Sequence, residues 1–137
     1  CNQLSALTNK GRLLFMVFKQ RFTTAVFLEF LKRLERQVDR PVFLIVDGHP
    51  VHRARGVQHG LAQPERTVKL FFLPGYSPEL NPDELLNHDV KSHLGRHRPH
   101  TQRELIHTLR SHLHRRQRQP HIVRRFFLEK HVRYAAD

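Results

Sequence analysis

Two strand-length apolar runs, separated by a segment of helical length, constrain this chain more than any other feature. Val42–Val46 is continuously apolar, and residues 68–73 form a second run interrupted only by Lys69. Asp47-Gly48 ends the first run and Pro74-Gly75 ends the second, while residues 51–63 predict a short helix between them. Continuous apolar runs are typical of strands that are buried on both faces. A strand–helix–strand segment predicts two parallel strands joined by a right-handed crossover.

The segments before this unit predict a β-hairpin and a helix. Residues 4–8 and 13–19 read as two strands joined by a turn at residues 9–11. A helix capped by Thr23 or Thr24 places an apolar face toward the core at the spacing of a helix. The residues of that face are Val26, Phe27, Phe30, Leu31 and Leu34.

Three further helices follow the second apolar run, which makes the chain an α/β protein. The first begins after Asn81-Pro82, the second at the capping box Thr101-x-x-Glu104, and the last after Pro120. The predicted order is therefore a hairpin, a helix, a strand, a helix, a strand and three helices.

Positive charge is concentrated in the C-terminal third. Residues 91–137 contain 12 of the 24 Lys and Arg residues and 8 of the 12 His, but 3 of the 12 acidic residues. This asymmetry, in a chain of formal net charge +12, predicts a polyanionic partner, of which nucleic acid is the commonest. A solvated basic helix face is the alternative explanation. A membrane surface fits less well, since the segment lacks Trp and an extended apolar face.

Several other classes of protein are disfavoured. The apolar runs are too short to span a bilayer, and the N-terminal residues show no secretory signal. The single cysteine, Cys1, excludes an intrachain disulfide framework and a cysteine-based zinc site, so we expect a reducing, cytoplasmic compartment. No Gly-rich phosphate loop, nucleophile elbow or Cys/His nucleophile pair is present in the sequence.

Two carboxylates follow the predicted parallel strands. Asp47 comes directly after the first strand, and the loop after the second leads to Glu84 in the first turn of a helix. Because parallel strands end at the same sheet edge, the two side chains are expected to converge. Paired hard carboxylates in a basic protein favour Mg²⁺ or Mn²⁺. The structural alternatives are a turn role for Asp47 and a hydrogen bond from Glu84 back to the Asn81 cap.

Other residues compete for these roles. Glu79, Asp83 and Asp89 are alternatives to Glu84 as the second carboxylate. His49 and His52 have the i, i+3 spacing of a ligand pair, but no third nitrogen or sulfur ligand has convincing spacing. Contact with DNA phosphates, or capping of the following helix, is the favoured role for both histidines.

The segments 42–52 and 72–84 resemble the catalytic core of the mariner-related DDE transposases of insertion sequences, the IS-six-thirty group. The string Tyr-Ser-Pro-Glu-Leu-Asn-Pro-x-Glu at residues 76–84 is highly specific for this group, and the similarity extends over nearly the whole chain. The resemblance implies an RNase H-like fold and metal-dependent cutting and joining of transposon DNA. Asp47 matches the second catalytic acid of the family and Glu84 matches the third.

The resemblance also implies what the full-length protein contains. The first catalytic Asp of the family lies on a strand that precedes the hairpin, so we expect a partial catalytic domain over residues 1–137 that lacks this central strand and is inactive alone. Within it we expect an RNase H-like core at about 1–95 and a basic helical tail at about 96–137. The complete enzyme would use two Mg²⁺ or Mn²⁺ ions and act on double-stranded DNA as a homodimer in the bacterial cytoplasm, at the nucleoid.

The basic side chains are expected to hold the DNA backbone. The predicted contacts are His49, His52, Lys91, Arg96, Arg98, Arg115, Arg116 and Arg118. The alternative function is a non-catalytic, DNA-binding remnant of a transposase, in which the two acids have lost their role. A protein-interaction module is the weakest hypothesis because of the charge.

Overall fold

The computed structural model describes residues 2–75 and 77–136, and the chain divides into two compact units. Cys1–Gln20 and Glu79–Asp137 form the first, here called the hairpin unit, and Arg21–Pro78 forms the second, the crossover unit. The predicted order of elements is confirmed in the described residues, as is the mixed α/β class. The expected division into a core of about 1–95 and a tail of about 96–137 stays a prediction.

The hairpin unit begins with two antiparallel strands. β1 (Asn2–Leu7) pairs with β2 (Leu13–Phe18), and Leu7 lies opposite Leu13 across the turn. The turn requires glycine at position 11, because Gly11 has a φ of +95° and a Cβ there would lie 2.5 Å from the main-chain oxygen of Pro120. The hairpin turn therefore packs closely against another segment of the same unit.

The crossover unit contains the predicted parallel strands. The helix α1 (Thr24–Gln37) begins after Thr23, whose hydroxyl accepts a hydrogen bond from the backbone N–H of Val26. It is followed by β3 (Val42–Val46), a 3-10 helix (Pro50–Arg53), α2 (Arg55–Leu61) and β4 (Val68–Phe72). β3 and β4 pair in parallel. The five predicted core residues of α1 are all buried.

The remaining helices return to the hairpin unit. After a 3-10 turn (Pro78–Leu80), the chain forms α3 (Asp83–His97), α4 (Gln102–Gln117), α5 (Pro120–Phe126) and a last 3-10 turn (Arg133–Ala135). The predicted cap of α4 is confirmed, since Thr101 Oγ1 accepts from the N–H of Glu104 at 3.0 Å. None of the described helices is long and apolar enough to cross a membrane. The core of this unit contains Leu13, Leu86, Val90, Leu109, Leu113 and Val123.

The prediction that β3 and β4 are buried on both faces is wrong. Phe43 is 67% exposed, Ile45 44% and Phe71 51%, whereas Val46 and Val68 are buried. Phe43 and Ile45 alternate with half-buried residues, and Ile45 lies opposite Phe71 in the register. These three side chains therefore share one face. An unbroken apolar run shows that both faces of a strand are hydrophobic. It does not show whether another part of the protein packs on the second face.

Candidate active site

The loop after β3 is shaped by its own side chains. Asp47 Oδ1 accepts a hydrogen bond from the backbone N–H of His49 at 3.0 Å, which forms the turn at Gly48. His49 Nδ1 in turn accepts from the N–H of Val51 at 3.1 Å and caps the 3-10 helix that starts at Pro50. The turn role that was the alternative for Asp47 is thus present, and it uses one of the two carboxylate oxygens.

His52 contacts Asp47 from the other side of this loop. Its Nδ1 lies 3.0 Å from Asp47 Oδ1 and 3.1 Å from the main-chain oxygen of Asp47. Both partners are acceptors, so Nδ1 carries the proton and donates. The imidazole packs beside the rings of Phe27 and Phe22, at centroid distances of 4.7 and 5.8 Å, and its side chain is only 12% exposed. His52 therefore faces the protein interior and Asp47.

Asp47 keeps one carboxylate oxygen available. Its side chain is 53% exposed, and Oδ2 has no hydrogen-bond partner among the residues that the structure describes. An oriented carboxylate with one open oxygen is a suitable monodentate ligand for a hard cation. The geometry of the loop thus supports a binding role as well as a turn role.

Arg53 adds a cation to the same loop, and the sequence analysis did not single it out. Its guanidinium carbon lies 4.1 Å from the centroid of the Phe72 ring at the end of β4. A Cβ at Gly48 would lie 3.8 Å from Arg53 Nε, so the guanidinium passes close to the Asp47 turn. The sequence feature that could have identified Arg53 is its position next to His52, in the segment that follows a strand.

Glu84 lies in the first turn of α3, in the hairpin unit. The side-chain oxygen of Asn81 accepts from the N–H of Asp83 at 3.1 Å, and the Asn81 carbonyl accepts from the N–H of Glu84 at 3.0 Å. The carboxylate of Glu84 makes no hydrogen bond or ion pair in the described part of the chain. The capping alternative, in which Glu84 bonds back to the Asn81 amide, is therefore not observed.

The acids that compete with Glu84 differ in whether their carboxylates are already bound to other residues of the protein. Asp83 accepts a hydrogen bond from the hydroxyl of Ser5 on β1. Asp89 is bound by Arg116, with Nε and Nη2 each 2.8 Å from a carboxylate oxygen, and by His112 Nε2 at 2.7 Å. Glu79 is exposed and lies before the helix. Glu84 is thus the one acid of α3's first two turns whose carboxylate remains open among the described residues.

Asp89 belongs to a structural cluster between α3 and α4 that the sequence analysis missed. Burial acts to raise the pKa of Asp89, but hydrogen bonds from Arg116 and His112 outweigh it and hold the pKa below its ordinary value. The rings of His112 and His93 are stacked at a centroid distance of 4.1 Å. The sequence pattern that could have identified this cluster is a pair of polar residues at i, i+4 spacing on each of two consecutive helices. These pairs are Asp89 with His93 and His112 with Arg116.

The histidines of this cluster are held neutral. Burial, together with smaller contributions from the neighbouring His112 and His97, lowers the pKa of His93 to about 4. Burial also lowers the pKa of His112, although its hydrogen bond to Asp89 opposes this. Because the Asp89 carboxylate accepts from His112 Nε2, the proton lies on Nε2, and Nδ1 is left buried without a partner among the described residues.

Asp47 lies in the crossover unit, and Glu84 lies in the hairpin unit. Within the described residues, no group of three or more His, Cys, Asp and Glu side chains is arranged to hold a metal ion. The donor chemistry of the two carboxylates nevertheless fits Mg²⁺ or Mn²⁺, which prefer oxygen ligands.

The comparison with protein families decides the class of this chain. The family described as DDE superfamily endonuclease matches residues 1–106, which include both strand-end loops and both open carboxylates. The chain belongs to this family. A search of the curated proteins finds no match. Membership of the DDE superfamily endonucleases indicates a transposase-type nuclease, as the sequence predicted.

The basic residues of this DDE superfamily chain fall into two groups. Arg116 is bound to Asp89 and Gln119, and His52 to Asp47, so the structure gives both an internal partner, and their contacts with DNA stay predictions. The others are exposed and stay predictions as DNA contacts: His49, Lys91, Arg96, Arg98, Arg115 and Arg118. The family match ends within α4, so Arg115 and Arg118 lie beyond it.

Proposed function

We propose that this chain is catalytic-domain sequence of a mariner-related insertion-sequence transposase with an RNase H-like core. In this proposal Asp47 and Glu84 bind the divalent metal ions used for DNA strand cleavage and strand transfer. The observation that carries it is that these two carboxylates are open, whereas two of the three acids that compete with Glu84 are bound within the protein. Asp83 is bonded to Ser5, and Asp89 is bonded to Arg116, whereas Asp47 and Glu84 each keep open oxygen atoms.

The remaining groups of the loop would prepare Asp47 for this role. Bound Mg²⁺ or Mn²⁺ would supply a Lewis acid that activates water or a 3′-hydroxyl and stabilises charge on phosphate oxygens. The Nδ1–H of His52 orients the Asp47 carboxylate and leaves Oδ2 open. Arg53, fixed by stacking on Phe72, offers N–H donors to phosphate oxygens beside that carboxylate.

The partner in this proposal is double-stranded DNA, both transposon ends and target, bound by a homodimer in the bacterial cytoplasm. The resemblance to the mariner-related group and the net charge of +12 support it.

A nicking assay on supercoiled and transposon-end DNA tests this function. It uses the longest open reading frame that contains the chain, with Mg²⁺, with Mn²⁺ and with a chelator. Glu84→Gln should abolish metal-dependent cleavage, while the matched control Glu79→Gln, an exposed acid five residues earlier, should retain it. Cleavage that survives Glu84→Gln would contradict the role of Glu84. DNA binding without cleavage by the unsubstituted protein would favour the non-catalytic remnant.

A further inference from the structure

The outer face of α4 carries a row of basic side chains. Five residues have the spacing i, i+4, i+7, i+11 and i+15, which places them along one side of a helix and its C-cap. All five are exposed, and the opposite side of α4 buries Leu109, His112 and Leu113. We call this row the α4 stripe: Arg103, His107, Arg110, His114 and Arg118.

The arginine charges of the α4 stripe are not used inside the protein. Arg103, Arg110 and Arg118 make no side-chain ion pair or hydrogen bond with any described residue, in contrast to Arg116, which lies on the opposite side of the helix with His112. The only acid in α4 is Glu104, and its carboxylate accepts from the backbone N–H of His100 at 2.7 Å. The three arginines of the stripe are thus unneutralised positive charges on the surface, whereas His114 contacts Gln117 and the ring of Phe15.

The dimensions and composition of the stripe favour one kind of polyanion. At 1.5 Å per residue, Arg103 and Arg118 are about 22 Å apart along the helix axis, a distance over which a DNA duplex presents about a dozen phosphates. The stripe contains no Phe, Tyr or Trp, the large aromatic side chains on which the unstacked bases of a single strand would stack. It also has no apolar side chain to insert into a membrane.

We propose that the α4 stripe binds the phosphate backbone of double-stranded DNA, with Arg103, Arg110 and Arg118 as the main phosphate contacts. The inference rests on the proposed function in taking DNA as the partner. It goes further by assigning the contact surface to a helix that lies mostly outside the family match, which ends at residue 106. Of its three arginines, Arg118 was among the contacts predicted from the sequence, whereas Arg103 and Arg110 were not.

Fluorescence anisotropy with a labelled duplex, measured at several salt concentrations, tests whether the α4 stripe binds DNA. The variant carries Arg103→Gln, Arg110→Gln and Arg118→Gln. The control carries Arg21→Gln, Arg40→Gln and Arg55→Gln, three exposed residues of the crossover unit with the same total charge change. We expect the stripe variant to lose about 10- to 100-fold in affinity and the slope of log affinity against log salt to fall by about 2.7, near 0.9 per lost phosphate contact. The control should bind almost as tightly as the unsubstituted protein.

Further measurements keep the result interpretable. Replacing the same three arginines by lysine should preserve most of the affinity, and thermal unfolding should show that both triple variants remain folded. Equal losses in the stripe variant and the control would overturn the proposal, as would tighter binding to a single strand or to anionic phosphatidylserine vesicles than to the duplex. DNA cleavage that depends on Glu84 but is indifferent to the stripe would reject the stripe alone and leave the proposed function intact.

Discussion

Asp47 is held by His52 through a single ring nitrogen, which lies 3.0 Å from the carboxylate and 3.1 Å from the main-chain oxygen of the same residue. The imidazole is itself fixed against Phe27. A contact of this kind constrains both the orientation of the carboxylate and the path of the backbone at the end of β3. In metal sites, partners that orient a ligand contribute to activity without touching the substrate.

His52 is therefore expected to be a positioning residue for Asp47. His52→Ala should lower kcat for metal-dependent cleavage by about 10- to 100-fold and leave the KM for DNA nearly unchanged. His52→Asn places an amide donor near the position of Nδ1 and should recover most of the rate. His59→Ala, on exposed α2, is the control. A larger effect on KM than on kcat would instead indicate that His52 contacts DNA.

The network around Asp89 is expected to hold α3 and α4 together. Asp89→Asn leaves the Arg116 guanidinium, which is 16% exposed, without its charged partner. We expect the free energy of unfolding to fall by about 2–4 kcal/mol, slightly below the cost for a fully buried pair because Asp89 keeps some solvent contact. Urea denaturation measures the change. Asp39→Asn, at an exposed position, should stay within about 0.5 kcal/mol of the unsubstituted protein.

Acid should destabilise the hairpin unit through His93. Its pKa is lowered from 6.5 to about 4 in the folded protein, so the unfolded chain binds more protons between these values. The neutral His93 ring makes its full contribution to the free energy of unfolding above about pH 6.5. This contribution, roughly 1–3 kcal/mol, is lost as the pH falls toward 4. His112, whose pKa is also lowered, adds to the same trend.

Unfolding free energies measured between pH 4 and 7 test this dependence. His93→Gln should reduce the slope against pH, because it removes a group that takes up a proton on unfolding. His100→Gln, at an exposed histidine, is the matched control. An unchanged slope in His93→Gln would show that His93 is not held neutral in the folded state.

Replacing Gly11 or Gly95 by alanine is expected to change the stability of the protein in opposite directions. Gly11→Ala should destabilise the protein by at least about 1–2 kcal/mol, because φ is +95° and the new Cβ would lie 2.5 Å from the Pro120 oxygen. Gly95→Ala should stabilise it by about 0.5–1 kcal/mol, since Gly95 lies within α3 and a Cβ there meets nothing within 4 Å among the described residues. Melting temperatures of the two variants should move in opposite directions.

Local features of this fold could be predicted because short-range chemistry determines them. Thr23 and Thr101 cap helices as their neighbours indicate, and the apolar spacing of α1 identifies its buried face. The exposure of Phe43 could not be predicted, since it depends on what packs beyond the strand. The same applies to the Asp89–Arg116 pair, because periodicity gives the face of each helix and not which faces meet.

The candidate site could likewise be predicted only in part from the sequence. The acid types and their places after two strands were visible in the sequence, whereas the hydrogen bond of His52 to Asp47 and the stacking of Arg53 on Phe72 depend on the folded loop. That Asp83 and Asp89 have internal partners also required the structure, because Ser5 and Arg116 are distant from them in the sequence.

The most direct test of the account uses the longest open reading frame that contains the chain, replaces the Asp47 ligand with a softer one and measures DNA cleavage with two metals. Asp47→Cys should be inactive with Mg²⁺ and regain partial activity with Mn²⁺, because a thiolate binds softer ions better. Asp47→Asn should be inactive with both, and the exposed control Asp39→Asn should cleave normally. Mg²⁺-dependent cleavage by Asp47→Asn at the unsubstituted rate would contradict the assignment of Asp47 as a metal ligand.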